Sequence, residues 1–337
     1  ERALAIRQRA LGPEHLEIAR VINELGFVAF RARNADLAEQ RYRQALAMLE
    51  TTVGPDHPEY AVSLTGLFAA EYLRRQFVEA EGYQLRSLEF RRRVLGPDHP
   101  LTAESLRGLG VLWRAMGQSA RAESALRQAV GSLQQNLGAR HSQTADALNS
   151  LALLVRDRGE LSEARVLFEQ ALTAYDSSLD PLDPRIAGVL NNLASVVREL
   201  GDFDEAESYL RRSIAIREQR YGDDHPAAAQ SLGNLGAVLV EAERASEAIP
   251  VLQRALPIKE RAYGRSSANF AITFSSLGRA LHATGDFEDA ERCLEEVVAT
   301  LEGELGPDHP VVADQLNNVA PVQHGLGKLG AARAGFQ

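Results

Sequence analysis

The sequence predicts an all-α solenoid, in which stacked antiparallel helix pairs form a right-handed superhelix. Three observations support this fold class. Gly-Pro-Asp-His-Pro occurs at 54–58, 96–100 and 306–310, and related segments recur every 42 residues. Apolar residues between these segments follow helical spacing, and a turn interrupts each repeat near its middle. A fixed period of this size is typical of repeat proteins in which each copy packs only on its neighbours.

The first residue of the recurring segment serves as the anchor of each repeat. The anchors are Gly12, Gly54, Gly96, Gly138, Asp180, Gly222, Gly264 and Gly306. We therefore expect a single array over 1–337, with seven full repeats, the end of a second helix at 1–11 and a partial repeat at 306–337. Because the chain opens and closes inside the pattern and lacks an initial Met, we expect a segment of a longer array or multidomain protein.

The repeat at 180–221 shows how each pair is built. Apolar residues from Ile186 to Leu200 are spaced by four and three positions, which predicts a first helix with one apolar face. Gly201 ends that helix, and the spacing restarts at Phe203, so a second helix should run to about Tyr221. Neither helix can bury its apolar stripe alone, and the two should pack antiparallel.

The recurring segment itself is typical of a junction between helices. Its Gly suits the position after a helix end, and its last Pro suits a first helical turn. We expect the Asp before that Pro to accept hydrogen bonds from the free N–H groups. A small residue is expected where the helices of each pair cross. These residues are Ala38, Ala80, Ala122, Ala164, Ala206, Ala248, Ala290 and Ala332.

Prolines interrupt the pattern in two repeats. Pro250 and Pro257 fall inside the second helix of the repeat that begins at Gly222, and Pro321 falls inside the last first helix. An interior Pro removes a backbone hydrogen bond. We expect a kink or softer packing over 245–268.

Short motifs give the repeat a family resemblance. Leu190-Asn191-Asn192-Leu193-Ala194 and Phe203-Asp204-Glu205-Ala206-Glu207, with the junction segment, resemble the tetratricopeptide repeat, and the long period resembles its kinesin light chain type. The resemblance covers the whole chain. It implies a concave surface, lined by the first helices, that accepts an extended peptide or partner helix. Similar arrays occur in bacterial proteins beside kinase, nucleotide-switch ATPase or protease modules.

Composition narrows the function classes. The net charge of −9 argues against a nucleic-acid or anionic-membrane surface. No apolar run approaches the roughly 18–20 residues that cross a bilayer, and the lone Cys293 fits a reducing compartment, so we expect a cytoplasmic protein.

The sequence shows no catalytic apparatus and implies no cofactor. Six histidines share one junction position, about a helix-pair width apart, which is too far for a shared metal. They are His15, His57, His99, His141, His225 and His309. His282 and His324, also one period apart, are excluded as a metal pair in the same way. The dinucleotide-like pattern at 325–330 lacks the strand that such a site needs, and Gly327 is interpreted as a turn residue. Cys293 is expected to be a packing residue.

Two series of first-helix positions carry the functional prediction. Eleven residues after the anchors lie Asn23, Thr65, Arg107, Asn149, Asn191, Gly233, Ser275 and Asn317. Eighteen residues after them lie Phe30, Tyr72, Arg114, Arg156, Arg198, Val240, His282 and His324. The resemblance assigns both series to the concave face. We predict peptide-binding roles for Asn23, Phe30, Tyr72, Arg107, Arg114, Asn149, Arg156, Asn191 and Arg198.

Asn can bond a peptide backbone and Arg can bind carboxylates, so an extended, acidic peptide or partner segment is the favoured ligand. Trp113 and Phe27 are expected to add apolar pockets with Phe30 and Tyr72. The alternative is that Asp146, Asp157 and Glu199 pair with the arginines, which then only solubilise the inner wall.

The wider alternatives concern the array's role. The leading one is a non-catalytic interaction scaffold. The second is a sensor or autoinhibitory arm of a larger signalling enzyme, such as a kinase, nucleotide-switch ATPase or protease. Self-association through exposed apolar helix faces at the ends is a further expectation.

Overall fold

The computed structural model describes residues 2–12 and 14–328. Its elements are sixteen α-helices, with no strand among the described residues. The first nine helices are α1 (Arg2–Leu11), α2 (Leu16–Arg31), α3 (Ala35–Thr52), α4 (Pro58–Leu73), α5 (Phe77–Leu95), α6 (Pro100–Ala115), α7 (Ser119–Leu137), α8 (Ser142–Asp157) and α9 (Leu161–Ser178). The remaining helices are α10 (Pro184–Glu199), α11 (Phe203–Tyr221), α12 (Pro226–Glu241), α13 (Ala245–Tyr263), α14 (Ala268–Thr284), α15 (Phe287–Leu305) and α16 (Pro310–Gly325).

The helices form two compact units, residues 1–178 and 179–337. In the first unit, α2 pairs with α3, α4 with α5, α6 with α7 and α8 with α9. In the second, α10 pairs with α11, α12 with α13 and α14 with α15. Within each unit a second helix also packs on the first helix of the next pair, as α5 does on α6 and α13 on α14. This alternation confirms the predicted solenoid of stacked helix pairs.

Histidine, and not the expected Asp, caps the first helices. In six repeats the imidazole Nδ1 accepts a hydrogen bond from the backbone N–H two residues later, as in His99 to Leu101 at 3.1 Å. Nδ1 can accept only when it is unprotonated, so each of these rings carries its proton on Nε2. Asp183 takes over the capping position in the repeat that begins at Asp180, and Ser267 does so in α14. The junction histidines therefore have a structural role.

Turn residues after the first helices adopt left-handed backbone conformations. Gly201, Gly285 and Gly327 have φ of 87°, 86° and 74°, which confirms the interpretation of Gly327 as a turn residue. The rest of the dinucleotide-like pattern, from residue 329, lies outside the described residues. In three repeats Arg33, Arg75 and Glu243 occupy the same position with φ near 60°. The turn is thus kept even where glycine is missing.

The small residues at the helix crossings are confirmed as core positions. All of the predicted alanines from Ala38 to Ala290 are fully buried, and Ala332 lies outside the described residues. Elsewhere glycines let the paired helix approach closely. A Cβ on Gly110 would lie 2.4 Å from Leu126, and one on Gly236 would lie 2.3 Å from Leu252. Pair packing therefore depends on small first-helix and second-helix residues.

The prolines do not break their helices, contrary to the expected disruption over 245–268. α13 continues through Pro250 and Pro257 for 19 residues, the same length as α11 and α15. α16 likewise continues through Pro321. Pro250 and Pro257 are exposed, so water can hydrate the carbonyl groups that lose their helical partners.

Buried polar side chains connect successive pairs within each unit. In the first unit, Arg91 on α5 donates to the Leu101 carbonyl at 2.9 Å and to Ser105 Oγ at 2.8 Å on α6, and to Thr65 Oγ1 at 3.1 Å on α4. In the second, Lys259 on α13 donates to the Asn269 carbonyl at 3.2 Å and to Thr273 Oγ1 at 2.7 Å on α14. The two cations occupy the same repeat position.

Candidate peptide-binding face

The candidate binding face consists of the first-helix residues 11 and 18 positions after the anchors, described here for each unit. In the first unit its aromatic end is half-buried. Phe30 packs against the core around Leu49, and the Tyr72 ring lies 6.1 Å from Phe68 and 5.8 Å from Phe77. Phe27 is 52% exposed and presents apolar surface beside them. This end can contact an apolar side chain of a ligand.

Two predicted residues of the first unit are enclosed by protein. Asn23 is only 5% exposed, and its Oδ1 accepts a hydrogen bond from Ser63 Oγ at 2.9 Å. Trp113 is 9% exposed, its Nε1 donates to Glu81 at 2.9 Å, and the Arg121 guanidinium lies 4.1 Å from the ring centre. The expected Trp113 pocket is therefore wrong, because Glu81 and Arg121 close it.

Arg107 lies within the polar layer of α6. Its Nε donates to Glu104 at 3.2 Å, one helical turn away. Burial opposes the positive charge, but the hydrogen bond to Glu104 and the charges of Glu104 and Asp146 raise the pKa of Arg107. The pKa of Glu104 is lowered, since Arg107 and Arg91 outweigh the effect of burial. Asn149, at the same repeat position in α8, is half-buried.

Arg114 and Arg156 converge on one carboxylate. Arg114 Nε donates to Asp157 Oδ2 at 2.9 Å, and an Arg156 Nη donates to Asp157 Oδ1 at 3.1 Å. The arginine side chains are 29% and 26% exposed, so solvent reaches both. The predicted pairing with Asp157 is thus present, but two cations share one anion. The group carries a net charge of +1.

In the second unit, Asn191 is bonded within the protein. Its Nδ2 donates to Ser213 Oγ at 2.5 Å and to Ser231 Oγ at 3.0 Å, while its Oδ1 accepts from Asn234 Nδ2 at 3.1 Å. These bonds connect α10, α11 and α12. Asn191 therefore positions Asn234 and shares its polar capacity with the adjacent helices.

A cleft of about 150 Å³ opens beside this network. It is lined by Asn191, Ala194, Ser195, Arg198, Leu210, Asn234 and Val238. Arg198 Nε lies 3.7 Å from a Glu241 carboxylate oxygen, so its ion pair is with Glu241 and not with the predicted Glu199. The sequence reasoning missed Asn234, although the Asn191-Asn192 doublet could have indicated that the following position is also polar.

The remaining candidate chemistry is absent from the part of the chain that the structure describes. Residues 2–12 and 14–328 contain no cluster of His, Cys, Asp and Glu suited to a metal ion. No described helix is both long enough and apolar enough to span a bilayer. Cys293 is 3% exposed, and burial raises the pKa of its thiol to about 11. A thiol with that pKa stays protonated and packs as an apolar group.

Comparison with known proteins identifies the family. One tetratricopeptide repeat model matches residues 1–51, 17–69, 69–135, 185–261 and 269–337, and a second matches 144–177. The chain belongs to the tetratricopeptide repeat family. Members of this family are generally non-catalytic scaffolds for protein–protein interaction, and the chain falls in that class. A search of curated protein sequences returned no match.

Solved structures support the kinesin light chain type of the array. BtubC (BKLC) from P. vanneervenii is 25% identical, with a TM-score of 0.58, and the match covers 70% of this chain and 93% of that one. A putative kinesin light chain from Podosopora anserina with nearly identical TPR-like repeats is 23% identical, with a TM-score of 0.54 and coverage of 61% and 97%.

A third similar structure belongs to a different functional group. The apo form of the quorum sensor NprR from B. thuringiensis is 13% identical, with a TM-score of 0.69, and the match covers 95% of this chain and 85% of that one. At this identity the similarity shows a shared helical fold alone. The alternative role as a sensor arm stays a prediction.

Proposed function

We propose that the chain binds an extended, acidic segment of a partner protein along the candidate binding face. The observation that carries this proposal is the Arg114–Arg156–Asp157 group, where two solvent-accessible guanidinium groups share a single carboxylate. The group keeps one unit of positive charge on a chain whose net charge is −9. A ligand carboxylate can complete the pairing, because an Arg fork offers several N–H donors to an anion.

The surroundings of this group favour a peptide over a small molecule. Half-buried aromatic rings, including Phe30 and Tyr72, occupy the same repeat position as Arg114 in preceding helix pairs. A ligand that uses both features needs acidic and apolar side chains separated along an extended chain. In the second unit, Asn234 and Arg198 line a cleft large enough for a short polar side chain.

Charge reversal tests the proposal. The Arg114→Glu/Arg156→Glu variant should lose binding to a pool of acidic peptides, while its helicity and melting temperature stay unchanged. Arg156→Glu/Arg198→Glu tests the longer stripe in the same way. Binding by the wild-type chain should weaken as salt rises, because exposed charges are screened beyond about 10 Å at 0.1 M ionic strength.

The matched control is Arg92→Glu/Arg140→Glu, which changes the net charge equally at two exposed arginines away from the face. Equal loss of binding in both double variants would show a nonspecific charge effect and contradict the proposal. Self-association, which concentration-dependent sedimentation can measure, is a separate prediction.

A further inference from the structure

The arginines of the candidate binding face have a second regularity, one position further along the following repeat. Nineteen residues after the anchors, the chain has Arg31, Leu73, Ala115, Asp157, Glu199, Glu241, Ala283 and Gly325. An acid occurs there in three repeats. In each case the preceding repeat has an arginine 18 residues after its anchor. Those arginines are Arg114, Arg156 and Arg198.

Contacts inside each unit show what the acids do. Asp157 on α8 bonds Arg114 on α6 at 2.9 Å, across 43 residues. Glu241 at the end of α12 lies 3.7 Å from Arg198 on α10 in the second unit, at the same separation along the sequence. Both acids therefore reach back to the arginine of the preceding helix pair. They hold the positions that an incoming carboxylate would need.

We propose that Asp157 and Glu241 are internal stand-ins for a ligand carboxylate, so that an acidic partner binds by displacing them from the arginines. This inference rests on the proposed function. The two acids then set the affinity for acidic ligands, and they exclude weakly acidic ligands that cannot compete. Asp157 leaves part of the positive charge of two arginines unbalanced, whereas Glu241 balances Arg198 completely.

Physical chemistry makes the exchange feasible. The carboxylates of Asp157 and Glu241 are 39% and 32% exposed, and their arginine partners are exposed to similar extents. Ion pairs at such positions contribute little to folding, because water solvates both partners and screens their attraction. A ligand carboxylate can therefore replace the internal one without unfolding the helices.

The test uses the full chain and a fluorescently labelled, acetylated oligoglutamate peptide. Asp157→Asn and Glu241→Gln should each bind this peptide about fivefold more tightly than the wild type, the size expected when a competing exposed ion pair is removed. Glu89→Gln and Asp204→Asn are the matched controls, since they remove one exposed carboxylate from each unit outside the face. The controls should change the affinity less than the face variants do.

An NMR measurement separates displacement from a general charge effect. In the wild-type chain, the Arg114 Nε–H should shift when oligoglutamate is added, because its acceptor changes from Asp157 to the ligand. In Asp157→Asn the same N–H should exchange faster with water before addition and be protected after it. An Arg114 signal that does not respond to the peptide would overturn the proposal.

The outcomes distinguish this inference from the proposed function. If the wild type binds the peptide and Arg114→Glu/Arg156→Glu does not, but Asp157→Asn and Glu241→Gln are unchanged, the stand-in role is wrong and the proposed function holds. If binding appears only in Asp157→Asn or Glu241→Gln, the stand-in role is supported and the wild-type face is masked. If no variant binds the peptide, both proposals fail.

Discussion

The two compact units place a buried cation at one repeat position and satisfy it differently. Arg91 in the first unit reaches three oxygen atoms on two neighbouring helices. Lys259 in the second reaches two oxygen atoms on one helix, and the residue that corresponds to Thr65 is Gly233. Burial lowers the pKa of Lys259 to about 8. The difference teaches that a charge can be kept inside such an array only where the fork of the side chain finds enough acceptors.

Replacing each cation with methionine should break the equivalence most clearly. Arg91→Met should lower the free energy of unfolding by about 3 kcal/mol, because it leaves three oxygen atoms without their charged donor. Lys259→Met should change it by less than about 1 kcal/mol at pH 7, since the lost hydrogen bonds are offset by removal of a poorly solvated charge.

Urea unfolding gives the free energies for these two variants. Hydrogen exchange locates each effect, with faster exchange expected in α5 and α6 for Arg91→Met. Equal destabilisation by both substitutions would contradict the comparison.

The pH dependence of stability sharpens the comparison next. The pKa of Lys259 is about 8 in the folded chain, below its ordinary value of 10.5, so the unfolded state binds more protons between these values. Stability of the second unit should therefore rise with pH, by about 2 kcal/mol between pH 7 and 9.5. Arg91 does not titrate there, and the first unit should lack this rise.

Lys259→Met is the control for the pH experiment. The rise should disappear in the difference between wild type and Lys259→Met, which also cancels the opposing contribution of Cys293, whose raised pKa lowers stability above pH 9. A difference curve that stays flat from pH 7 to 9.5 would show that the Lys259 amine is well solvated in the folded chain.

Helix crossings should respond alike in the two units, in contrast to the cations. Ala122→Leu and Ala248→Leu should each cost about 2 kcal/mol, because both alanines are fully buried between paired helices. Ala120→Leu, at an exposed position of α7, is the control and should be nearly neutral. Thermal unfolding measures the effect. A much smaller cost at Ala248 would indicate looser packing around the two prolines of α13.

Histidine caps should give the smallest effect, again equal in both units. His99→Ala and His225→Ala should each lower stability by about 1 kcal/mol, since each substitution removes the acceptor for an N–H at a helix start. His99→Asn and His225→Asn should restore most of it, because Asn is a good N-cap. Circular dichroism melting curves compare the four variants. Unchanged stability in both alanine variants would contradict a capping role.

The repeat frame could be predicted from the sequence because its signals are local and repeated. The helix pairs, the buried alanines and the turn at Gly201 follow from spacing and from glycine's access to positive φ. The capping residue was assigned wrongly, since Asp and His are adjacent in the junction segment and either can accept a hydrogen bond. The continuity of α13 was also missed, because its prolines face solvent.

The candidate site was only partly predictable, because its members depend on side chains from other helices. The arginine series was visible in the sequence, and so was Asp157 as a partner. Trp113 looked available for a ligand, but Glu81 and Arg121 enclose it. Asn234 became a candidate only through its bond to Asn191.

By itself, the sequence determined the repeat length, the helix pairs and the row of arginines on the first helices, because period and helical spacing constrain each residue relative to its own helix. Only the tertiary structure decided which charges meet. Asp157 reaches Arg114 and Glu241 reaches Arg198 across 43 residues, and such contacts depend on how neighbouring pairs pack. The direction of a long side chain is set by the helix that it meets, and no local pattern encodes it.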